Sequence, residues 1–245
     1  MNILVSIILA LTLIQASSLH AKSHLAPLRI ATENYPPYEM LSPVDGLKGF
    51  DYELLIEIYK LLGNEISIEF LPWKRALAYT QLGEVVGILT CAYRKEREEF
   101  ILYSDPISSF VNGFYVRSDF SGPKPILLED VKGQKVGSIA AYESFKALQA
   151  IGIEPQPAQN TTTAIKMLSK QRFDYLYVNQ QSTDFEIKQL GLRGKFKFYP
   201  ISKQDFYFCF SKQYEGVEHR AEDFNKALHI LKKNGTYERI HSKYR

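Results

Sequence analysis

Strand-like and helical patterns alternate along the chain, and this alternation limits the possible folds more than any other feature of the sequence. The run Leu28 to Thr32 predicts a first strand, and a helical pattern opens at Gly49-Phe50-Asp51. Ile66 to Leu71 alternates like a second strand, and Pro72 then stands at a position that favours the start of a helix. Strands that alternate with helices predict an α/β protein with a mostly parallel sheet covered on both faces.

The alternation continues through the second half of the chain. Lys135 to Ile139 and Asp174 to Val178 are strand-like, and a helical pattern runs from Tyr142 to Ile151. Thr161 can cap a further helix, and Phe206 to Phe210 predicts another strand. No internal repeat, low-complexity tract or long flexible linker interrupts this order.

The first residues form an apolar leader. Met1 to roughly Ala21 contains a mainly apolar run, Ile3 to Ile14, followed by Ala16-Ser17-Ser18. Because this run is short for a membrane span, it predicts a secretory signal peptide over residues 1–21, cleaved after Ala21. No later stretch is apolar enough to cross a bilayer, and no cysteine near the leader's end could carry a lipid. We therefore expect an exported protein with no stable membrane insertion after cleavage.

Composition and histidine positions argue against several classes of function. The 245 residues are 45% hydrophobic with a formal net charge of +3 and no basic block, so nucleic acid is not an expected partner. The five histidines lie near the leader or in the carboxyl-terminal segment, away from any candidate nucleophile. Zinc-ligand spacing and phosphate-cradling glycine loops are absent from the sequence. We predict no catalytic residue, no metal and no cofactor.

A polar segment with two arginines follows the apolar run Val85 to Leu89. Arg94 and Arg97 thus come just past the carboxyl end of a predicted buried strand, which is where open α/β sheets bind ligands. The planar guanidinium of Arg97 can hold a carboxylate through two parallel hydrogen bonds. A solvated charge run is the alternative, and we prefer it for Lys95 and the neighbouring glutamates.

This segment resembles a motif of the periplasmic solute-binding proteins of the polar amino acid uptake class. That family carries a threonine, two intervening residues and an arginine, and then a Phe-Ser-Asp-Pro run. Here Tyr103-Ser104-Asp105-Pro106 takes the place of the run, Arg97 that of the arginine and Arg94 that of the threonine. Gly49-Phe50-Asp51 and the ending Lys-Asn-Gly-Thr-Tyr-Glu-Arg-Ile-His-Ser-Lys-Tyr also resemble the family. The resemblance therefore spans nearly the whole mature chain.

The resemblance implies a two-lobed type II periplasmic-binding-protein fold, with a mostly parallel sheet flanked by helices in each lobe. Residues 22–108 and 205–245 would form the first lobe, and residues 109–204 the second. The chain would cross between the lobes twice, near Ser108 to Val111 and near Pro200 to Asp205.

The only two cysteines, Cys91 and Cys209, fall in strand-like runs. In the resembled fold these two strands are neighbours in one sheet, so a disulfide can form. Two buried free thiols are an equally good interpretation, because pairing requires a close Cβ geometry that a sequence does not show.

The resemblance also assigns residues of the first lobe to a ligand site. Trp73, in the first turn of the second helix, corresponds to the family's wall against the ligand, with a core tryptophan as the alternative. Tyr38 and Glu33 belong to an aromatic loop after the first strand, which either lines the cleft or packs locally. Arg75 is either a third cation of the cleft or a solvated helix arginine.

The second lobe matches the family less well. Where the family has a Gly-Thr pair before a helix that receives the ligand carboxylate, this chain has Ala140-Ala141-Tyr142-Glu143-Ser144. Backbone amides could still bind an anion there, with Tyr142 as an aromatic lid. The family's aspartate for the ligand ammonium falls on Asn179, which can accept a hydrogen bond but has no charge. Glu33 could supply that charge instead.

We therefore predict capture of a small polar or anionic organic solute, an amino acid or a related carboxylate, by hinge closure in the periplasm. The expected partner is an ABC permease or a sensor ectodomain, and the protein is expected to be a monomer. The alternatives are a ligand sensor without a transporter and an enzyme like cyclohexadienyl dehydratase. The predicted ligand-binding residues are Arg97, Trp73, Tyr38, Glu33, Arg94, Arg75, Tyr142 and Asn179.

Overall fold

A computed structural model of the chain describes residues 26–140 and 142–244. The predicted signal peptide, residues 1–21, and its cleavage site lie outside the described residues. Within those two ranges, no helix has both the length and the apolar character needed to cross a membrane.

Strands and helices alternate through both described ranges. The strands are β1 (Leu28–Thr32), β2 (Ile66–Phe70), β3 (Gly87–Ala92), β4 (Ile101–Tyr103), β5 (Ser108–Arg117), β6 (Val136–Ile139), β7 (Gln156–Ala158), β8 (Tyr175–Asn179) and β9 (Phe196–Ser211). The α-helices are α1 (Phe50–Leu61), α2 (Trp73–Leu82), α3 (Glu143–Ala150), α4 (Thr161–Ser169), α5 (Gln180–Gln189), α6 (Val217–Lys233) and α7 (Thr236–Ser242).

The strands form one hydrogen-bonded path in the order β2-β1-β3-β9-β5-β8-β6-β7, with β4 also paired to β9. The pairs β1–β2, β1–β3, β6–β7 and β6–β8 are parallel, as the alternation of strands and helices predicts. In contrast, β5 and β9 run antiparallel to each other and to their other partners. The reason is topological, since β5 carries the chain out of the first half of the sheet and β9 carries it back.

The β5–β9 ladder separates two groups of buried side chains. Phe208 and Phe224 belong to one cluster. Almost all of its residues come either from the chain before β5 or from the second half of β9 and the helices that follow it. Phe114 and Tyr175 belong to a cluster built from the segments in between. This is the two-lobed arrangement of the type II fold, with both hinge strands side by side. The lobe limits at residues 108, 109, 204 and 205 stay predictions.

The start of α1 requires a glycine. Gly49 has φ 108, and a Cβ atom placed on it would lie 2.3 Å from the backbone oxygen of Tyr38. Only glycine allows the β1–α1 loop to return this closely to the helix start, and the loop carries several cavity residues. The Gly-Phe-Asp pattern therefore has a structural role.

Cys91 in β3 and Cys209 in β9 form a disulfide, with their Cα atoms 6.0 Å apart. Of the two interpretations that the sequence left open, the structure shows the disulfide. It joins the strand that leads to Arg97 to the strand that returns from the second lobe.

Candidate functional site

A cavity of about 690 Å³ lies between the lobes, on one side of the β5–β9 ladder, and we call it the front cavity. The carboxyl ends of the parallel strands β1, β3, β6 and β8 converge on it, as expected for open α/β sheets. Its volume lies within the usual range for small-molecule sites. Of the predicted site residues, six line it: Glu33, Trp73, Arg94, Arg97, Tyr142 and Asn179.

Arg97 offers a free guanidinium to the front cavity. Its Nη1 atom lies 3.3 Å from the carbonyl oxygen of Ala92, and its Cζ atom lies 5.5 Å from the centre of the Trp73 ring. Among the described residues no carboxylate lies within ion-pair distance of it. Burial lowers the pKa of Arg97, and the nearby charge of Arg94 adds to this effect. A half-buried cation without a counter-ion is a favourable site for an anion.

Tyr103 fixes the turn that carries both arginines. Its hydroxyl accepts a hydrogen bond from the Arg94 amide at 3.0 Å and donates one to the Arg94 carbonyl at 3.1 Å. The Arg94 side chain donates only to the Tyr93 carbonyl, at 2.9 Å, and also lacks an ion pair within the described part of the chain. Two guanidinium groups without an ion pair among the described residues therefore line the cavity, close enough that the charge of Arg94 lowers the pKa of Arg97.

Glu33 brings the opposite charge to the front cavity. It is half-buried, its pKa is raised by burial, and its carboxylate has no hydrogen bond or ion pair with the residues described. Glu33 lies near Tyr35 and Tyr142. Burial is the main cause of the raised pKa of each tyrosine, and the charge of Glu33 raises it further. The cavity therefore contains both a basic region and an acidic group, which suits a ligand with both kinds of charge.

Two predicted site residues lie outside the front cavity. Tyr38 is 0% exposed and packs edge-on against Phe50 and Phe206, so it belongs to the core and does not line the front cavity. Its neighbour Tyr35 lines the cavity instead. Arg75 is exposed and does not line the cavity. Because successive helical residues are rotated by about 100°, Arg75 points away from the side on which Trp73 faces the cavity.

Asn179 lies at the cavity wall, but its amide is already engaged. Its Oδ1 atom accepts from the amide of Ser182 at 2.9 Å and caps α5, and its Nδ2 atom lies 3.4 Å from the Tyr38 hydroxyl. Ser182 also donates to the Pro36 carbonyl at 2.8 Å. Asn179 and Ser182 thus connect the second lobe to the β1–α1 loop of the first, a role that the sequence did not indicate.

Two buried carboxyl groups lie beneath the cavity and meet at Thr90, a strained residue at φ 57. The Thr90 hydroxyl is 2.7 Å from Glu39 and 2.9 Å from Asp51, and Ser108 donates to the same Asp51 oxygen at 2.7 Å. Thr90 has a single hydroxyl proton, so at least one of the two carboxyl groups must hold a proton. Burial raises the pKa of both groups, that of Asp51 to about 7.

Four further residues of the front cavity come from the hinge strands and were not predicted from the sequence. Phe110 and Asn112 of β5 and Gln204 and Phe206 of β9 all face the front cavity. Each pair is separated by one residue, which is the period of a strand face. Phe206 opens the predicted strand Phe206 to Phe210, and the same spacing applied back to Gln204 and along the other crossing would have identified the remaining three residues.

The family of bacterial extracellular solute-binding proteins, family 3, matches residues 28–245 of the chain. The chain belongs to this family. Two similar relatives come from Bacillus subtilis strain 168. One is the probable amino-acid-binding protein YxeM, 26% identical over 206 residues that cover 81% of this chain and 76% of YxeM. The other is the L-cystine-binding protein TcyA, 24% identical over 220 residues, 89% of this chain and 80% of TcyA.

Solved structures of similar fold include both binding proteins and receptor domains. An ancestral cationic amino acid solute-binding protein has a TM-score of 0.74 at 20% identity, with 89% of this chain and 95% of that chain covered. A histidine kinase sensor domain with similarity to periplasmic binding proteins has a TM-score of 0.70 at 21% identity, with 91% and 97% covered. These likenesses confirm the type II fold, and the family match confirms the resemblance drawn from Arg97 and its neighbours.

Family membership makes the protein a solute-binding protein of the extracellular class. The GluR0 ligand-binding core from Nostoc punctiforme, solved with L-glutamate, has the same fold at a TM-score of 0.69 and 21% identity, with 89% of this chain and 99% of that chain covered. The fold therefore serves solute-binding proteins, a sensor domain and a ligand-binding core, and it does not by itself name the ligand.

Proposed function

We propose that this protein captures a small organic solute with an acid group, an amino acid or a related carboxylate, and delivers it to an ABC permease. The observation that carries the proposal is the half-buried Arg97, which faces the front cavity beside Trp73 and has no counter-ion among the described residues. Arg97 would hold the acid group through paired, charge-assisted hydrogen bonds. Arg94 would add a second donor to the same end of the ligand.

The other end of the ligand would lie against Glu33. Its carboxylate would bind an ammonium or another cationic group, replacing the charge that Asn179 does not supply. Trp73 and Tyr35 would cover the carbon skeleton, since both line the cavity and offer flat apolar faces. A zwitterionic ligand would satisfy the charges of both ends in one molecule.

Capture would involve a rotation of the lobes about the β5–β9 ladder. Two paired strands can bend by small backbone changes while each lobe keeps its own core. Closure would exclude water from the cavity and strengthen the ion pair with Arg97. It would also present both lobes together to a membrane partner, as expected for a protein exported to the periplasm.

A sensory role is the second candidate, and the likeness to the histidine kinase sensor domain favours it. The binding step would be the same, and only the partner that recognises the closed form would differ. Co-purification with a permease, or stimulation of ligand uptake by the purified protein, would separate the two roles. We propose no catalytic step, and unchanged prephenate after incubation with the protein would be the expected result.

A thermal-shift screen over amino acids, di- and tricarboxylates and small peptides tests the proposal. A ligand at about 100 times its dissociation constant adds roughly 2.7 kcal/mol to the free energy of unfolding. For a chain of this size, that corresponds to a rise in melting temperature of about 5–10 °C.

Arg97→Ala should abolish this rise while the protein still folds, because the side chain makes few contacts of its own. Arg75→Ala is the matched control, since it removes an arginine from outside the front cavity, and it should keep the full rise. Retention of ligand affinity in Arg97→Ala would remove the carboxylate site from the proposal.

A further inference from the structure

A second cavity lies on the opposite side of the β5–β9 ladder, and we call it the rear crevice. Its volume is about 570 Å³. Phe110 and Asn112 of β5 face the front cavity, whereas Ser109 and Tyr115 face the rear crevice. Alternate residues of a strand point to opposite sides, and the odd-numbered Ser109 and Tyr115 accordingly lie opposite the even-numbered Phe110 and Asn112. The hinge therefore has one cavity on each side.

Both walls of the rear crevice are aromatic. On the first lobe, Tyr237 and His241 stack with their ring centres 4.1 Å apart. On the second lobe, Phe198 packs against Tyr115 with their ring centres 4.7 Å apart. A flat apolar group between the walls would contact ring faces from both lobes.

The charge available in the rear crevice is positive. Lys188 and Arg193 lie on its second-lobe wall, and neither side chain makes a hydrogen bond or ion pair within the described ranges. The acid on the same wall, Asp184, already accepts a hydrogen bond from the Tyr115 hydroxyl at 2.7 Å. An occupant would therefore meet two free cations and a carboxylate whose hydrogen-bonding capacity is partly used.

We propose that the rear crevice is a second binding site, which takes a small aromatic carboxylate with its ring between the two walls and its acid group on Lys188 and Arg193. The volume is in the range of small-molecule sites, and the combination of aromatic walls with a few charged groups is typical of them. The site shares none of its residues with the front cavity.

The position of this site at the back of the hinge couples it to the front cavity. The β1–α1 loop and the start of α5 form the partition: Tyr35 and Asn179 face the front, and Pro37 and Gln181 face the rear. When two lobes rotate about a ladder, one side narrows as the other widens. A molecule in the rear crevice would prevent its narrowing and would thereby oppose opening of the front cavity. This coupling rests on the proposed hinge motion, whereas the site itself does not.

Calorimetric titration with 3-phenylpropionate tests the site. This acid could also enter the front cavity, so it is titrated into Arg97→Ala as well as into the wild-type protein. We expect binding to survive in Arg97→Ala. It should become about tenfold weaker or more in Lys188→Ala/Arg193→Ala, because charge-assisted hydrogen bonds are lost. Lys195→Ala, an exposed change beside but outside the crevice, should bind like the wild type.

The neutral 3-phenylpropanamide should bind at least about tenfold more weakly than the acid, for the same reason. Absence of binding by the acid would overturn the proposal, as would binding that the double substitution does not weaken. Loss of binding in Arg97→Ala alone would place the probe in the front cavity, which would refute the second site and support the proposed function.

The single tryptophan, Trp73, reports on the coupling because it lines the front cavity only. A phenyl probe does not absorb at the excitation wavelength of tryptophan, so the probe does not itself attenuate the emission. Addition of 3-phenylpropionate to Arg97→Ala should shift Trp73 emission with the same midpoint as the calorimetric titration. Binding in the crevice without this shift would refute the coupling.

Discussion

Replacing Asp51 with asparagine should reduce the dependence of the free energy of unfolding on pH. Asp51 is fully buried beneath the front cavity, where its carboxyl group lies within hydrogen-bonding distance of the Thr90 and Ser108 hydroxyls. Burial raises its pKa from 3.8 to about 7, so the folded protein binds a proton that the unfolded chain releases. The stabilisation is therefore fully present below about pH 4 and is lost as the pH rises towards 7.

The magnitude follows from the two pKa values. Between them, each pH unit changes the free energy of unfolding by about 1.4 kcal/mol. The free energy of unfolding changes less steeply as the pH approaches and passes 7. The total loss of stability from pH 5 to pH 8 is therefore roughly 2–3 kcal/mol. For a chain of this length, that loss lowers the melting temperature by about 4–12 °C.

Urea unfolding at pH 5, 6, 7 and 8 measures this slope. The wild-type protein should lose stability across the series, and Asp51→Asn should lose about 2–3 kcal/mol less. Asp119→Asn is the control, because Asp119 is exposed and its substitution should leave the wild-type slope unchanged. Equal slopes for wild type and Asp51→Asn would show that Asp51 is ionised in the folded protein and that the proton required by the geometry at Thr90 is on Glu39.

Two further predictions concern the disulfide and the contact between the lobes. Reduction of Cys91–Cys209, which are 118 residues apart, should lower the free energy of unfolding by about 5 kcal/mol, measured as the urea midpoint with and without reductant. Two free thiols in the denatured, unreduced protein would contradict the pairing. Asn179→Ala should cost about 1 kcal/mol as a lost helix cap and also weaken ligand binding by calorimetry. Asn160→Ala, which removes the cap of α4, should cost a similar amount without that weakening.

Hydrophobic patterns within short stretches of sequence were sufficient to predict most of the fold. They failed where a strand depends on pairing with a strand far away in the chain. The alternation of strands and helices led to the parallel half-sheets on both sides of the hinge. The first half of β9 was missed, although the chain was expected to cross between lobes nearby. Lysines and Pro200 interrupt its apolar pattern, and the strand is held by its pairing with β5, whose residues lie 79 or more positions earlier in the chain.

For the side chains of the site, too, the sequence identifies residues in a local motif but not those whose position depends on tertiary packing. Arg97 and Trp73 were identified because a local motif places them at the cavity. Tyr35 and Tyr38 look alike in the sequence, and only packing against Phe50 and Phe206 decides that Tyr38 belongs to the core. The sequence places Asp51 at the opening of a helix but does not show that it is completely buried against Thr90 and Ser108.

Arg97 keeps its positive charge in the front cavity because it forms no ion pair with the glutamates near it in the described part of the chain. Glu96 and Glu143 are close enough to raise the pKa of Arg97 slightly, yet neither lies within ion-pair distance, and Glu143 pairs with Lys146 at 2.9 Å instead. A structural role for Arg97 would be served better by such a pair, because a half-buried charge without a counter-ion costs stability. The contacts that do exist, to Ala92 and Trp73, orient the guanidinium and leave its charge unneutralised. The arrangement is therefore best explained by an anion that arrives with the ligand.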